Sequence, residues 1–263
     1  MYTVKSYQFA QSLDEACELL QKDSKNTVLG GCCWLKMGHK RIRTAIDLTR
    51  LNLSYITESD GKIFIGATTT LRELETSPLL QKRFGGILPQ CVKNIVGVQF
   101  RNMATVGASV FSRYGFSDIL TALLALNTSV ELHLGGVMTL EKFIELPPQR
   151  DILKQIIIAD DGRVAAYQSM RNSVTDFPVL AVAVSKLAAD WKVSVGARPA
   201  RAALAQNAAK LLSQGASPEQ AGNAAAEELA FGSNMRASAQ YRKLLASVLV
   251  KRAVQQCRED TSK

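Results

Sequence analysis

The sequence predicts an α+β protein in which short strands and capped helices precede a helix-rich C-terminal part. Capping-box patterns, in which Ser or Thr is followed three residues later by Glu or Gln, occur at Ser12, Thr70 and Ser217. Short apolar or alternating runs bounded by glycine predict strands between them. Alanine-rich amphipathic segments then fill the end of the chain. Strands followed by a run of helices favour the α+β class.

The first part of the chain carries the predicted strands. The box at Ser12 precedes an apolar face at Ala16, Leu19 and Leu20, which predicts a helix. Ser117 and Asp118 are good N-terminal residues for a very apolar helix. In chain order, the predicted elements are a helix after Ser12, strands at 27–29 and 62–65, a helix after Thr70, helices at 88–95 and 119–126, and strands at 130–134 and 152–159.

The second part begins at a boundary around residues 160 to 175. A hairpin is predicted from 179–187 and 191–197, turning at Ala189 and Asp190. Three helices follow: one from Pro199 to near Gly215, one from the Ser217 box, and one near the C-terminus. The last has an apolar stripe that predicts a core face, at Tyr241, Leu244, Leu245, Val248 and Leu249.

Composition excludes several protein classes. The 263 residues are 47% hydrophobic and 21% charged, within the ordinary globular range. No apolar run is long enough to span a membrane, and no signal peptide begins the sequence. The 5 cysteines form no C-x-x-C pair, which argues against a disulfide scaffold, a zinc site or an iron–sulfur site in this chain. We therefore expect a cytoplasmic protein with no membrane span and no metal site.

The net charge of +9 allows an acidic partner, a phosphate-bearing ligand or nucleic acid. The basic residues are scattered, however, and one tight cluster stands out, at Lys36, His39, Lys40, Arg41 and Arg43. It has no accompanying aromatic ladder or basic helix, so nucleic-acid binding is not expected. The two histidines, His39 and His133, lie in no nucleophile–His–Asp pattern, and no catalytic residue is predicted.

Two loops rich in small residues are the candidate binding elements. The first, Leu29-Gly-Gly-Cys-Cys-Trp-Leu35, directly follows a predicted strand, and the second is Arg101-Asn-Met-Ala-Thr-Val-Gly-Ala-Ser109. Small residues let backbone N–H groups approach an anion such as a diphosphate. Neither loop matches the dinucleotide fingerprint or the P-loop. Taken alone, each loop is more often a tight turn than a ligand site.

Together, the two loops and two further segments resemble the FAD-binding medium subunit of the molybdenum hydroxylases, the xanthine dehydrogenase and carbon monoxide dehydrogenase family. The family's first loop reads Ala-Gly-Gly-Thr-Asp/Ser-Leu, and its second reads Gln-Ile-Arg-Asn-x-Ala-Thr-Ile-Gly-Gly-Asn, similar to Gln99–Ser109 here. A Ser-Asp-Leu segment corresponds to Ser117–Leu126. The family's Arg-Ala-Ser-x-x-Tyr-Arg segment corresponds to Arg236–Arg242. The resemblance covers essentially the whole chain.

The resemblance implies a PCMH-type FAD-binding fold of two small α+β subdomains followed by a C-terminal sheet-plus-helices domain. The implied boundaries are 1–162 for the FAD-binding domain, with subdomains of about 1–55 and 56–162. The C-terminal domain, of the CO dehydrogenase flavoprotein type, would cover 163–263.

The resemblance also implies a set of cofactor contacts. The two loops would wrap the FAD diphosphate, Asp118 would contact the cofactor's polar chain, and Ile95 would lie where relatives place an aromatic beside the flavin ring. Tyr167 falls near another ring-contacting position. The full set is Leu29, Gly30, Gly31, Cys32, Cys33, Trp34, Leu35, Ile95, Thr105, Val106, Gly107, Ala108, Ser109, Asp118 and Leu153.

The implied function is that of an oxidoreductase subunit holding non-covalent FAD in a heterotrimer. A large partner subunit would carry a molybdenum–pterin centre, and a small one would carry [2Fe–2S] clusters. Electrons would pass from those clusters through FAD to an acceptor such as NAD⁺. The redox chemistry would belong to the cofactor, which the chain positions and tunes.

Two departures from the family pattern leave alternatives open. Ala108 replaces a glycine, which is awkward if that position needs a positive φ, and Ser109 replaces an asparagine. Cys32-Cys33-Trp34 replaces a small polar pair. The two cysteines suggest covalent flavin attachment or a redox thiol, or simply small apolar residues. The alternatives are a structural subunit with weak or no FAD, and a stand-alone flavin reductase.

Overall fold

The computed structural model describes residues 2–260 and confirms the α+β class. The chain forms two compact units from interleaved segments. Unit 1 takes in Met1–Glu73, Val98–Ser112 and Thr128–Ile158, and unit 2 takes in Leu74–Gly97, Arg113–Asn127 and Ala159–Lys263. The chain therefore leaves unit 1 for unit 2 and returns twice before residue 162. The domain boundaries at 1–162 and 163–263 stay a prediction.

The strands are β1 (Thr3–Phe9), β2 (Thr27–Val28), β3 (Arg41–Asp47), β4 (Ile56–Ser59), β5 (Lys62–Gly66), β6 (Thr128–Leu132), β7 (Gly136–Thr139), β8 (Leu153–Ala159), β9 (Val164–Arg171), β10 (Pro178–Leu187), β11 (Asp190–Gly196) and β12 (Ala203–Leu204). The α-helices are α1 (Leu13–Lys22), α2 (Leu71–Thr76), α3 (Pro78–Lys82), α4 (Ile87–Val92), α5 (Val98–Met103), α6 (Val106–Phe111), α7 (Asp118–Leu124), α8 (Leu140–Glu145), α9 (Gln206–Ser213), α10 (Pro218–Glu228) and α11 (Ala239–Asp260). No helix within residues 2–260 is long and apolar enough to cross a membrane.

Unit 1 contains a three-stranded parallel sheet with strand order β1-β3-β2. Its core is formed with α1, through residues that include Ala16, Leu20 and Ile46. Phe9 pairs with Asp47, and Val28 with Ile46, so the carboxyl ends of the three strands meet at one edge. The first glycine loop leaves the sheet at this edge. Such edges are where ligands bind in open parallel sheets.

Unit 1 also contains a five-stranded sheet, β4-β5-β8-β6-β7. The predicted strands at 62–65, 130–134 and 152–159 are its central members β5, β6 and β8. The edge strands β4 and β7 were not predicted from the sequence, and neither was β1 of the parallel sheet. Nearly all residues of these edge strands are exposed or half-buried, so they lack the alternating apolar pattern on which strand prediction depends.

Unit 2 is built on a four-stranded antiparallel sheet, β12-β11-β10-β9. Leu180, Val182 and Val184 of β10 pack with α9, α10 and α11 in one hydrophobic cluster. On the opposite face, Ser185 of β10 donates a hydrogen bond to the carbonyl of Ala125, just after α7. Burial on both faces explains the continuous apolar run of this strand.

The helix starts predicted from capping residues are confirmed. Ser12 accepts a hydrogen bond from Glu15 N at 3.0 Å, and Ser117 accepts one from Leu120 N at 3.2 Å. At Thr70 and at Ser217 both halves of the capping box form, because the Glu73 and Gln220 side chains also accept from the backbone N–H of the capping residue. Local sequence alone specifies these ends.

Two predicted boundaries in unit 2 are wrong. The hairpin turns at Ala188 and Ala189, since Leu187 already pairs with Asp190. Ala188 adopts a φ of 50°, as tight hairpin turns of this kind require. The helix predicted from Pro199 begins at Gln206. Its first N–H groups are capped by Glu228, whose carboxylate accepts from Asn207 N at 2.8 Å.

The predicted core stripe of the last helix is also wrong in part. Tyr241 and Leu244 are 40% and 61% exposed, although Leu249 is buried as expected. The face of α11 that packs against the sheet and α10 is formed mostly by smaller residues, together with Leu249: Ala246, Leu249, Val250, Ala253, Val254 and Cys257. Alanines at the contact let α10 and α11 pack closely together. The size of the apolar residues therefore does not predict which face of α11 is buried.

Candidate functional site

The structure brings the two glycine loops into direct contact within unit 1. A Cβ atom added to Gly30 would lie 2.4 Å from the Cβ of Ala108, and one added to Gly31 would lie 1.8 Å from the Met103 carbonyl oxygen. Both glycines are therefore needed for the close approach of the two backbones. Gly31 also has a φ of 76°, in the left-handed region that favours glycine.

The first loop offers a row of backbone donors. Leu29 N donates to Ile46 O at 2.9 Å and so completes the sheet edge. Beyond it, within residues 2–260, the N–H groups of Gly30, Gly31, Cys32 and Cys33 donate to no protein acceptor. These residues are half-buried or buried. Free N–H groups in a partly desolvated loop are suited to holding an anion.

The backbone N–H groups of the second loop already donate hydrogen bonds within the protein. Val106 N donates to Thr69 O at 2.8 Å, and Gly107 N donates to Ala67 O at 2.9 Å. A Cβ on Gly107 would lie 2.5 Å from that same Ala67 oxygen. The N–H groups at 108 and 109 are used inside the first turn of α6, where Thr105 is the N-cap. The second loop thus supports the first and presents few free amides of its own.

The replacement of the family glycine by Ala108 creates no backbone strain. Ala108 lies inside α6, and its φ is not positive. Its methyl group instead faces Gly30. The Ser109 hydroxyl donates a hydrogen bond to Thr105 O at 2.9 Å, so toward any further group it can act only as an acceptor.

Cys32 and Cys33 behave as small apolar residues in this loop. Burial raises the pKa of both thiols, which keeps them protonated. Cys33 donates a weak hydrogen bond to Gly31 O at 3.5 Å. Cys32 adopts a φ of 59°, an uncommon conformation for a residue with a side chain. The geometry gives no support to a nucleophilic thiolate.

A polar cluster that the sequence did not predict lies at the same sheet edge. Tyr7 donates its hydroxyl to Asp47, at the ends of β1 and β3. Arg50 lies 4.0 Å from the centre of the Phe9 ring. The hydrogen bond from the Tyr7 hydroxyl to Asp47 is the main reason that the pKa of Tyr7 is raised to about 12. The sequence carried no signal for the cluster, because neither strand was predicted.

The remaining candidates lie at the end of the first loop or in other elements. Trp34 is 39% exposed, and Leu35 begins a short 3-10 helix. Leu153 is buried at the start of β8. Ile95 is half-buried after α4 and belongs to unit 2. Their predicted cofactor contacts stay predictions.

Asp118 lies in unit 2 at the start of α7 and is 5% exposed. Its Oδ1 accepts hydrogen bonds from Arg171 Nη2, at 2.5 Å, and from the Tyr167 hydroxyl. Burial raises the pKa of Asp118, and the Arg171 guanidinium opposes that rise. The carboxylate is thus part of a buried ion pair, and its role toward a cofactor stays a prediction.

The motif at the C-terminus has a structural role. Arg242 is 1% exposed and donates to Val179 O, Gly232 O, Ala237 O and the Asn234 side chain, at 2.6–2.9 Å. Its guanidinium therefore fixes the loop before α11 to β10. The part of the chain that the structure describes contains no cluster of His, Cys, Asp and Glu suited to a metal ion.

Comparison with known proteins agrees with this arrangement. Residues 2–160 match the family described as the FAD binding domain in molybdopterin dehydrogenase. Residues 165–257 match the CO dehydrogenase flavoprotein C-terminal domain.

Individual relatives match at low identity but over long stretches. The Escherichia coli K12 protein YgfM is 25% identical over 94% of each chain. The glyceraldehyde dehydrogenase medium chain of Sulfolobus acidocaldarius is 26% identical, over 68% of this chain and 69% of its own. The structure of quinoline 2-oxidoreductase from Pseudomonas putida 86 superposes with a TM-score of 0.88 at 20% identity, covering 99% of each chain, and so shares the fold.

Proposed function

This chain belongs to the family of FAD-binding domains in molybdopterin dehydrogenases, and on that premise we propose that it is the FAD-carrying subunit of a molybdenum hydroxylase complex. The proposal makes it an oxidoreductase subunit whose own residues bind and orient the cofactor. The redox chemistry is supplied by FAD when it is bound.

The observation that carries the proposal is the row of free amides in the first loop. FAD contains a diphosphate, whose oxygens need several donors. The N–H groups of Gly30 to Cys33 supply donors at the carboxyl edge of a parallel sheet, and Gly31 permits the tight turn. The residues present therefore fit a diphosphate.

The two loops have different roles in this proposal. The first loop donates to the diphosphate, whereas the second holds the first in place. Thr105, Val106, Gly107 and Ala108 contribute by their packing and their hydrogen bonds to unit 1, and Ala108 makes direct contact with Gly30. Asp118 and Ile95 would contact the polar chain and the ring, as the family resemblance implies.

The partners are proposed from the relatives. The Sulfolobus relative is named a medium chain, which implies further chains in its enzyme. We infer that this chain likewise joins a large molybdenum–pterin subunit and a small [2Fe–2S] subunit, and that electrons pass from the clusters through FAD to an acceptor such as NAD⁺. The 5 cysteines form no C-x-x-C pair, so the clusters belong to another chain.

An absorbance spectrum of the purified chain, taken before and after adding FAD and desalting, tests the proposal. We expect flavin bands that survive desalting. The matched variants are Gly31→Ala, which should lose the bands because the added Cβ meets the Met103 backbone, and Gly38→Ala, whose Cβ would meet nothing closer than 3.5 Å.

A chain that stays colourless and folded contradicts the proposal and favours the structural subunit that has lost FAD. Rapid NADH oxidation by the isolated chain would instead favour the stand-alone flavin reductase. Binding of FAD with little activity alone is the result expected of an electron-transfer subunit.

A further inference from the structure

The parallel sheet of unit 1 has one face that α1 does not cover. Ile46 of β3 packs with α1, so the even-numbered residues of β3 face that helix. Thr3 pairs with Arg41, so the odd-numbered residues of β1 and β3 lie together on the opposite face. At the amino end of this face the side chains are those of Lys5, Arg41 and Arg43, and all three residues are exposed.

The connection from β2 to β3 adds further positive charge beside these residues. Because β2 and β3 are parallel, the chain between them returns from the carboxyl edge of the sheet to the amino edge. It arrives at Lys40, whose carbonyl accepts a hydrogen bond from Thr3 N at 3.1 Å. Lys36 and Lys40 are exposed in this connection. We call the following group the basic face: Lys5, Lys36, Lys40, Arg41 and Arg43.

The charges of the basic face are largely uncompensated. Arg43 Nη1 lies 2.7 Å from Asp23 Oδ2, but the other members of the group form no ion pair within residues 2–260. Residues 34–43 contain no Asp or Glu. Lys5 also lies opposite Arg43 on the adjacent strand, where like charges repel. A partner that carries negative charge would relieve this repulsion.

Two exposed apolar side chains accompany the basic face. Trp34 and Met37 are 39% and 71% exposed, and Met37 directly follows Lys36. Aromatic residues, methionine and arginine are enriched at protein–protein interfaces. The strand charges also extend about 7 Å along β3 and about 5 Å across to β1. This spread and the apolar side chains fit an acidic protein surface better than a single phosphate group.

The basic face adjoins the loop that is proposed to hold FAD. Lys36 N donates to Cys32 O at 3.1 Å, so the 3-10 helix that carries Lys36 continues the first loop. Burial and the nearby Asp47 carboxylate raise the pKa of the Cys32 thiol. Asp47 is an odd-numbered residue of β3, so the loop lies against the carboxyl half of the same sheet face. A protein bound to the basic face would therefore lie beside this loop.

We propose that the basic face is a docking surface for an acidic electron-carrier protein, whose carboxylates pair with the lysines and arginines while an apolar patch covers Trp34 and Met37. This inference rests on the proposed function, because docking beside the first loop serves an electron carrier only if that loop holds FAD. Attraction between opposite charges would steer the carrier to this face and fix its orientation.

Calorimetric titration of an acidic plant-type [2Fe–2S] ferredoxin into the full chain, at rising salt concentration, tests the proposal. We expect binding that weakens as salt is added, because salt screens exposed charges. A triple variant of the basic face should weaken binding roughly tenfold, as the loss of three exposed ion pairs predicts. Its substitutions are Lys5→Gln, Lys40→Gln and Arg41→Gln.

A matched triple variant removes the same charge from exposed positions on α1, β5 and α8. Its substitutions are Lys22→Gln, Lys62→Gln and Lys142→Gln. It should bind ferredoxin within about twofold of the wild type, since attraction over long distances is screened. Met37→Ser should weaken binding about fivefold, the effect of losing part of one buried apolar side chain. Its affinity should fall with salt as steeply as that of the wild type.

Absence of ferredoxin binding at low salt overturns the inference. So do equal losses in the two triple variants, which would show an effect of net charge alone. Tighter binding of a DNA duplex than of ferredoxin, lost in the variant of the basic face, would overturn it in favour of a nucleic-acid site.

The flavin spectrum of each chain, after adding FAD and desalting, keeps the two proposals apart. The variant of the basic face should retain the flavin bands of the wild type, which also shows that it is folded. A wild type that binds FAD but no ferredoxin overturns this inference alone. A wild type without flavin bands overturns the proposed function, and with it the assignment of an electron carrier to this face.

Discussion

Gly30 and Ala108 are packed so closely that the first loop has no room for a side chain where the second loop carries its methyl group. The distance from a Cβ on Gly30 to the Ala108 Cβ would be 2.4 Å, well inside van der Waals contact. The two residues are complementary across the loop pair. The methyl of Ala108 is accommodated because residue 30 is glycine.

Substituting Gly30→Ala should destabilise unit 1 and disturb the loop pair. Overpacking of this size lowers the free energy of unfolding by about 1–3 kcal/mol, which urea denaturation measures. Gly38→Ala is the control, because its Cβ would lie 3.5 Å from the nearest atom, Leu35 O. The double variant Gly30→Ala with Ala108→Gly should recover much of the loss. No recovery would show that the clash is not the cause.

The single variant Ala108→Gly should itself lower stability. Ala108 is inside α6, and glycine in a helix costs about 0.5–1 kcal/mol relative to alanine. Thermal unfolding would detect this change. A gain in stability would mean that residue 108 favours a glycine conformation after all, contrary to its place in α6.

Removing the buried guanidinium of Arg242 should strongly lower the free energy of unfolding. Arg242→Leu leaves the carbonyls of Val179, Gly232 and Ala237 without their donor. The free energy of unfolding should fall by at least the cost of one unsatisfied buried acceptor, about 1–3 kcal/mol. The neighbouring exposed pair Lys243–Glu227 provides the control, since Lys243→Ala should cost under about 1 kcal/mol. Similar losses in both would contradict the clamping role of Arg242.

Glu228 should act as the missing cap of α9. Glu228→Gln, which weakens the bonds to Asn207 N and Ala208 N, is expected to lower stability, and Glu228→Ala to lower it by about 1 kcal/mol. Hydrogen exchange of the first amides of α9 gives a local readout. Glu227→Ala in the same helix should leave those amides protected as in the wild type.

The Tyr7–Asp47 hydrogen bond predicts a loss of stability in alkali. Its effect is to raise the pKa of Tyr7 in the folded chain to about 12, from 10.0. A group with a raised folded pKa stabilises the fold below its unfolded pKa, so this contribution is present below pH 10.0 and is lost as pH rises toward about 12. Tyr7→Phe should remove that part of the pH dependence. An identical stability profile in both proteins would contradict the prediction.

Helix starts were predictable because their determinants are local. The capping residues Ser12, Thr70, Ser117 and Ser217 all accept the expected backbone hydrogen bonds. The strand β10 was predictable from a continuous apolar run. The strand β3 was not, since it mixes basic and apolar residues, although it occupies the centre of its sheet.

The start of α9 and the buried face of α11 could not be read from nearby residues. Glu228 caps α9 from the end of another helix. On α11, Leu244 is exposed while Ala246 is buried, because close helix packing selects small residues. Both features depend on which elements become neighbours.

The sequence by itself determined the fold class, most helix starts and the family, because capping, periodicity and loop motifs are properties of short segments. The tertiary structure alone decided which loop has free donors. The amides of the second loop are used by Thr69 and Ala67, whereas those of Gly30 to Cys33 are not. It also enclosed Asp118 between Arg171 and Tyr167. Such pairings depend on contacts between residues far apart in the chain, which no local pattern records.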